Sequence, residues 1–112
     1  MSAIAKNIIP RKLAEAATTT QYTAPIGTRT IIDKLTGTNI SAAPVTVDVY
    51  LVPSGGTAGD AYRVVKAKTI AVNEAFTFPA VVGQILETGG FIATAASAGS
   101  AIVLSASGRE IA

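Results

Sequence analysis

The stretch VTVDVYL at residues 45–51 gives the clearest indication of the fold class, because apolar and polar side chains alternate along it with a period of two. Such alternation is typical of a β-strand that turns one face to a core and the other to water. It places Tyr50 on the wet face. Residues 102–107 repeat the pattern, and Phe76 and Phe78 lie on the same side of a further strand, which makes them the best aromatic core candidates.

Turn-forming residues separate these strands at the spacing of a sandwich or a small barrel. Residues 54–60 are rich in glycine and predict an exposed loop, whereas Lys66 and Lys68 predict a strand that shows its lysines to water. Helical periodicity is confined to short stretches at 8–17 and 79–86. The sequence therefore predicts an all-β, compact antiparallel β-sandwich of about seven strands, with jelly-roll and Ig-like topologies both open.

A chain of 112 residues is long enough for one domain. We assign residues 13–112 to the sandwich and residues 1–12 to an N-terminal arm. The arm combines apolar and basic side chains, namely Ile4, Ile8 and Ile9 with Lys6, Arg11 and Lys12. Terminal segments are by default disordered. Three isoleucines are more than a solvated tail needs, so we expect the arm to order against a neighbouring protein.

Charged residues make up only 14% of the chain, well below the share usual for soluble domains. A surface of Thr, Ser, Ala and Gly is suited to being covered, so we expect a homo-oligomer; a secreted or robust monomer is the alternative. The net charge of +2 is spread along the chain, and no stripe of basic and aromatic residues predicts nucleic-acid binding. The uncharged run at 88–108 is better explained by two strands around a loop than by a membrane helix.

The sequence contains few of the residue types that enzymes use for catalysis. The chain has no histidine and no cysteine, which excludes triads with a histidine base, thiol nucleophiles and the usual zinc sites. Its seven acidic residues are explained by a solvated surface, and the glycine-rich loop runs into Asp60, which repels phosphate. We expect no enzyme activity, no cofactor and no metal site. Near the C-terminus, Arg109 is predicted to make a forked contact to a carboxylate on a neighbour or a nearby strand.

Several segments resemble a family of small virion structural proteins of tailed bacteriophages. The resemblance extends from about Leu13 to Ile111 and rests on TTQYTAP at 19–25, GTRTIIDK at 27–34, VTVDVYLV at 45–52, GGTAG at 55–59, EAFTF at 74–78, VGQIL at 82–86 and SASGREI at 105–111. Proteins of this kind are compact β-sandwiches, and some decorate or cement the capsid exterior. The resemblance carries over no functional residue.

The resemblance implies a capsid decoration or cement protein that contacts the major capsid protein or other virion proteins. Such a protein is made in the bacterial host cytoplasm and ends on the exterior of the phage particle. A tail, neck or baseplate component is the alternative. A receptor- or glycan-binding module is a third hypothesis, since Tyr50 and Tyr62 both border the glycine-rich loop.

Overall fold

The computed structural model describes residues 3–112, which form nine β-strands and two short 3₁₀ turns. The strands are β1 (Ala3–Leu13), β2 (Thr19–Thr23), β3 (Arg29–Asn39), β4 (Val45–Val52), β5 (Arg63–Ile70), β6 (Ala75–Thr77), β7 (Ile85–Leu86), β8 (Phe91–Ala96) and β9 (Ile102–Ile111). The 3₁₀ turns cover Asp60–Tyr62 and Pro79–Val81. The all-β prediction is confirmed.

Two antiparallel sheets build the sandwich. Sheet A has the order β1-β9-β3-β6, with β7 on the same edge of β3, and sheet B has the order β2-β8-β4-β5. The pairs are nested: β1 with β9, β2 with β8, β3 with β6 and β7, and β4 with β5. A long hairpin rolled up in this way is a jelly roll, so the topology decides between the two that the sequence left open.

The core lies between the sheets and follows the predicted alternation. Val45, Val47 and Val49 point into it from β4, and Ile102 and Leu104 from β9. Its largest fully buried side chains are Phe78, Ile9, Ile32, Leu35, Ile70, Ile92, Ile102 and Leu104. Phe76 packs against the same cluster, with its ring 5.1 Å from that of Phe78 in an edge-to-face contact. Both phenylalanines therefore serve the core as predicted.

The segment assigned to an arm is an edge strand of sheet A. Strand β1 pairs with β9 from Ala3↔Ile111 to Leu13↔Val103, so the proposed boundary after residue 12 falls inside a strand. Ile8 and Ile9 are 4% and 1% exposed and belong to the chain's own core, where no neighbouring protein is needed to cover them. Residues 1 and 2 of the predicted arm lie outside the described residues.

Both neighbours of β9 in sheet A, β1 and β3, have a bulge near Gly108. β1 has an extra residue between Lys6 and Ile9, and β3 has one between Ile32 and Lys34, both opposite the same part of β9. Lys6 and Ile32 each pair with Gly108. A bulge bends its strand and redirects the side chains beside it. Because both neighbours of β9 bulge at one level, we call this feature the double bulge.

Two further expectations differ from the structure. The helical stretch predicted at 79–86 is a single 3₁₀ turn followed by β7, because Gly83 takes φ +81° and pairs with β3 through its N–H to the Ile32 carbonyl. Of the two lysines predicted to face water, Lys66 is exposed. Lys68 is only half-exposed, since its ammonium group lies 4.4 Å from the centre of the Phe76 ring.

Candidate interaction surfaces

All seven carboxylates have partners within the chain. Five form ion pairs: Glu110 with Lys6, Glu15 with Lys12, Glu87 with Arg29, Asp60 with Arg63, and Asp33 with Arg109. The other two accept backbone N–H groups, Asp48 from Ala67 and Glu74 from Ala71. Among residues 3–112 no three His, Cys, Asp or Glu side chains cluster as metal ligands would.

The forked contact predicted for Arg109 is formed with Asp33 on the adjacent strand β3. Arg109 Nε lies 3.2 Å from both carboxylate oxygens, and Nη2 lies 3.0 Å from Oδ1. The two side chains remain 49% and 40% exposed, so the pair contributes little to folding. The pair joins β9 to the extra residue of the β3 bulge.

The other residues predicted to contact a partner differ in their surroundings. Lys6 and Lys12 pair with carboxylates of this chain, Arg11 is exposed, and Ile4 is 60% exposed at the start of β1. Ile8 and Ile9 lie in the core and are unavailable to a partner. The sequence did not reveal this, because the bulge in β1 breaks the alternation that identifies the buried face.

A hydrogen-bond network ties the two sheets together near Ile4. Tyr22 on β2 donates to Glu110 on β9 at 2.5 Å and lies 2.7 Å from the Thr30 hydroxyl on β3. Lys6 lies 3.3 Å from the same carboxylate. Burial raises the pKa of Tyr22 to about 12, with a further contribution from the Glu110 carboxylate. The hydrogen bond from Tyr22 holds the pKa of Glu110 below its usual value.

Several exposed apolar residues belong to the segments near the end of the sandwich where β1 and β3 begin. Ile4, Thr30 and Leu86 lie in one row across sheet A. On the strands of this row or the loops next to them are four exposed apolar residues, Ile4 (60%), Ile26 (94%), Val82 (47%) and Ile85 (56%), which we call the isoleucine end. Beside Ile85 a cavity of about 200 Å³ opens between β4 and β7. Of these four residues, only Ile4 was predicted from the sequence to contact a partner.

Part of the outer face of sheet B, around Tyr50 and Val52, is covered by the chain itself. Tyr50 and Val52 point away from the main core, as the alternation requires, yet they are only 4% and 1% exposed. They form a second cluster with Ala93, Phe91, Ala95 and Ala58. Ala58 belongs to the glycine-rich loop, and the Arg63 guanidinium lies 5.1 Å from the Tyr50 ring. The prediction of a wet Tyr50 is therefore wrong, because the β4–β5 loop folds over it.

The outer face of sheet A has no such cover within the described residues. Lys34, Thr36, Ser105 and Ser107 line a cavity of about 250 Å³, and Ala5 and Asn7 line a neighbouring one of about 440 Å³ that shares Ser107. We call these six residues the open face. They lie around the double bulge, on three adjacent strands, and all six have small or flexible side chains. The result is a surface of mostly short side chains in the middle of the sheet, with the charged residues Lys6, Asp33 and Lys34 at the same two cavities.

Basic residues concentrate on two edge strands. Six of the nine Lys and Arg residues belong to β1 or β5. These strands end sheets A and B on opposite sides of the sandwich. Charged side chains and bulges on an edge discourage pairing with other chains. The basic residues are thus explained by protection of the edges, while the predicted lack of nucleic-acid binding stays a prediction.

No protein-family model and no curated protein matches the sequence. Among solved structures the chain is similar to one from infectious bursal disease virus strain Gx, with 18% identity over 97% of this chain and a TM-score of 0.47. A structure of the Gt strain gives 14% identity over 97% of this chain and a TM-score of 0.41. The chain spans 30% and 32% of those two chains. A likeness at this level carries no argument about function.

No helix within residues 3–112 is long and apolar enough to cross a membrane. The uncharged run at 88–108 contains β8 and most of β9, joined by a loop at 97–101. This is the two-strand arrangement predicted for it.

Proposed function

We propose that this protein is a non-enzymatic structural component of a tailed-phage particle, placed on the head as a decoration or cement protein. The observation that carries the proposal is the isoleucine end, four exposed apolar side chains on β1, β7 and the loops beside β3. An exposed apolar patch on a soluble domain marks a protein contact, and we assign these four residues to one such contact. Ile26, in the loop between β2 and β3, is the most exposed of the four, at 94%.

Two further observations support the same role. The jelly roll is an architecture that viral capsid proteins use, although a fold by itself does not fix a function. All seven carboxylates are engaged within the chain, as described above, and the chain has no histidine or cysteine to act in their place. The resemblance of the sequence to phage virion proteins gives the setting, and a contact with the major capsid protein gives the partner.

The mechanism is additive. Each copy binds the capsid shell through the isoleucine end, and the contact joins neighbouring capsid subunits. A single contact of this size is weak, but many identical contacts fixed by the capsid geometry act together against internal DNA pressure. Tail, neck and baseplate positions are distinguished by copy number and symmetry, which the test below records.

The test uses particles of the parent phage that lack this protein, to which purified chain is added. Ile26→Asp is the informative variant, because an exposed loop residue can accept a charge without harm to the fold. Ile40→Asp is the matched control at the opposite end of the sandwich, where Ile40 is 57% exposed. Bound copies are counted by cryo-electron microscopy, and heat release of DNA reports particle stability.

We expect wild-type chain and Ile40→Asp to occupy ordered sites over the head and to raise the temperature of DNA release. Ile26→Asp should bind at least ten times more weakly. A ring of copies at the neck or tail would move the protein to that location. Absence of the protein from parent particles, or equal binding by both variants, would contradict the proposal.

Deletion of the first twelve residues is a poor test of this contact. Ile8 and Ile9 lie in the core, and β1 pairs with β9 along almost its whole length. Removal of these residues would take Ile8 and Ile9 out of the core and expose the edge of β9, so a loss of binding could come from a loss of stability. The point variants avoid that difficulty.

A further inference from the structure

We infer that two copies of this chain pair through their open faces, with sheet A of one copy packed on sheet A of the other about a two-fold axis. This inference deepens the proposed assembly role, on which it rests for its biological setting. It assigns the open face to a second copy and leaves the isoleucine end to the capsid shell.

The chain covers part of the outer face of sheet B and leaves the outer face of sheet A without such a cover in the described residues. On sheet B the β4–β5 loop buries Tyr50 and Val52. On sheet A the corresponding surface carries Thr36, Ser105 and Ser107, whose short side chains leave shallow cavities above the backbone. Small side chains permit a close approach of a second flat surface, and their hydroxyl groups can bond across it directly or through water.

The size of the face suits a weak dimer. Its long strands β1, β9 and β3 have eleven, ten and eleven residues, whereas β6 has only three. Three long strands span about 36 Å by about 14 Å, which gives a face of roughly 500 Å². Stable protein interfaces bury about 800 Å² per partner, and smaller interfaces belong to weak, transient contacts. The open face with its surroundings on sheet A therefore fits a weak, reversible dimer.

The charges near the centre of the face are complementary to themselves. Asp33 and Lys34 are adjacent at the β3 bulge, close to the middle of the strand and beside Ser107 on β9. Asp33 is bound by Arg109, whereas Lys34 forms no ion pair within the described residues. A two-fold axis brings residue i against residue j twice. Lys34 of each copy then reaches the outer side of Asp33 in the other copy, which places that carboxylate between two cations.

The double bulge explains why these residues meet at this place. The extra residue in β3 turns Asp33 and Lys34 outward, and Gly108 on β9 allows the neighbouring strands to close in behind them. A Cβ atom on Gly108 would collide with the Ile31 carbonyl oxygen. The geometry is thus built into sheet A and does not depend on mobile loops.

Sedimentation velocity of the purified chain over about 1 to 300 µM tests the pairing, since that range brackets the dissociation constant of a modest interface. We expect a monomer–dimer equilibrium for the wild type. Ser105→Arg places a long charged side chain in the middle of the open face and should weaken the dimer at least tenfold. Lys34→Glu sets two carboxylates against each other and should do the same.

Each variant has a matched control. Thr69→Arg puts the same side chain at an exposed position of sheet B, and Lys66→Glu makes the same charge change on β5. Both should dimerise within twofold of the wild type. Circular dichroism shows whether each variant is folded. If Ser105→Arg does not fold, Lys34→Glu alone tests whether the open face forms the dimer.

A wild-type chain that stays monomeric over this range would overturn the pairing and leave the open face to another protein. Equal weakening by the sheet B controls would also overturn it. Neither result bears on whether the protein is present on particles. The particle experiment with Ile26→Asp measures that separately, so failure of the dimer and failure of the proposed function are distinguishable.

Discussion

The outward-facing residues of the two sheets follow the same alternating pattern but differ in burial. On sheet B the outward residues Tyr50 and Val52 are buried by a loop, and on sheet A the outward residues Ser105 and Ser107 are left half-exposed. Both sets alternate with core residues in the same way. Alternation therefore fixes which way a side chain points, while the loops decide whether that direction leads to water.

The largest effect should come from the covered face. Tyr50→Ala removes an aromatic side chain that is 4% exposed, and we expect a loss of about 4 kcal/mol in the free energy of unfolding. Tyr62→Ala is the control, since Tyr62 borders the same loop and is 36% exposed; it should cost less than about 1 kcal/mol. Urea unfolding of both variants measures this. Similar losses for the two would mean that the loop does not cover Tyr50 in solution.

The next prediction concerns the edge of sheet A. Ile9→Ala should cost about 3 kcal/mol, because Ile9 is 1% exposed in the core of its own chain. Ile4→Ala, at a position that is 60% exposed on the same strand, should cost less than about 0.5 kcal/mol. Urea unfolding at low protein concentration measures the monomer. No loss for Ile9→Ala would show that β1 is an arm after all and restore the expectation from the sequence.

The shape of the open face depends on Gly108. Gly108→Ala forces a Cβ atom against the Ile31 carbonyl and brings it within 3.2 Å of Ile8 Cδ1, so we expect a loss of about 2 kcal/mol. In Gly59→Ala the nearest atom to the new Cβ is 3.8 Å away, which predicts almost no change. Thermal unfolding compares the two. Equal stability of both variants would mean that the double bulge relaxes easily and is no fixed feature of sheet A.

The smallest effect depends on pH and involves the network between the sheets. Folding lowers the pKa of Glu110 below its ordinary value of 4.5, so its contribution to stability is present above that pH and lost as the pH falls through the folded pKa. Glu110→Gln should therefore cost about 1 kcal/mol at neutral pH and progressively less below pH 4.5.

Urea unfolding at neutral pH and at successively lower pH values measures this dependence. The control is Glu87→Gln, whose ion pair with Arg29 is 68% exposed on both sides and should matter little at any pH. A constant difference between wild type and Glu110→Gln across the range would show that the Tyr22 contact does not depend on the carboxylate charge.

Three properties could be predicted from the sequence alone: the all-β class, which side chains of β4 and β9 point toward the core, and the lack of histidine and cysteine for catalysis. These properties do not depend on the tertiary structure. Alternation is a pattern of consecutive residues, and the absence of histidine and cysteine is a property of the composition. The forked contact of Arg109 was also foreseeable, since a guanidinium beside a neighbouring strand readily finds a carboxylate. Its partner Asp33 was not, because 76 residues separate the two.

Only the tertiary structure decided which surfaces are covered. Ala3 pairs with Ile111, and no pattern within either segment announces a pairing between the two ends of the chain. Two register shifts in β1, between Lys6 and Ile9 and between Ile9 and Lys12, interrupt the alternation that would have identified an edge strand. Tyr50 is buried because a loop from outside the sheet folds back over it. Burial is a property of the packed whole, so the isoleucine end, the open face and the covered face became visible only once the strands were in place.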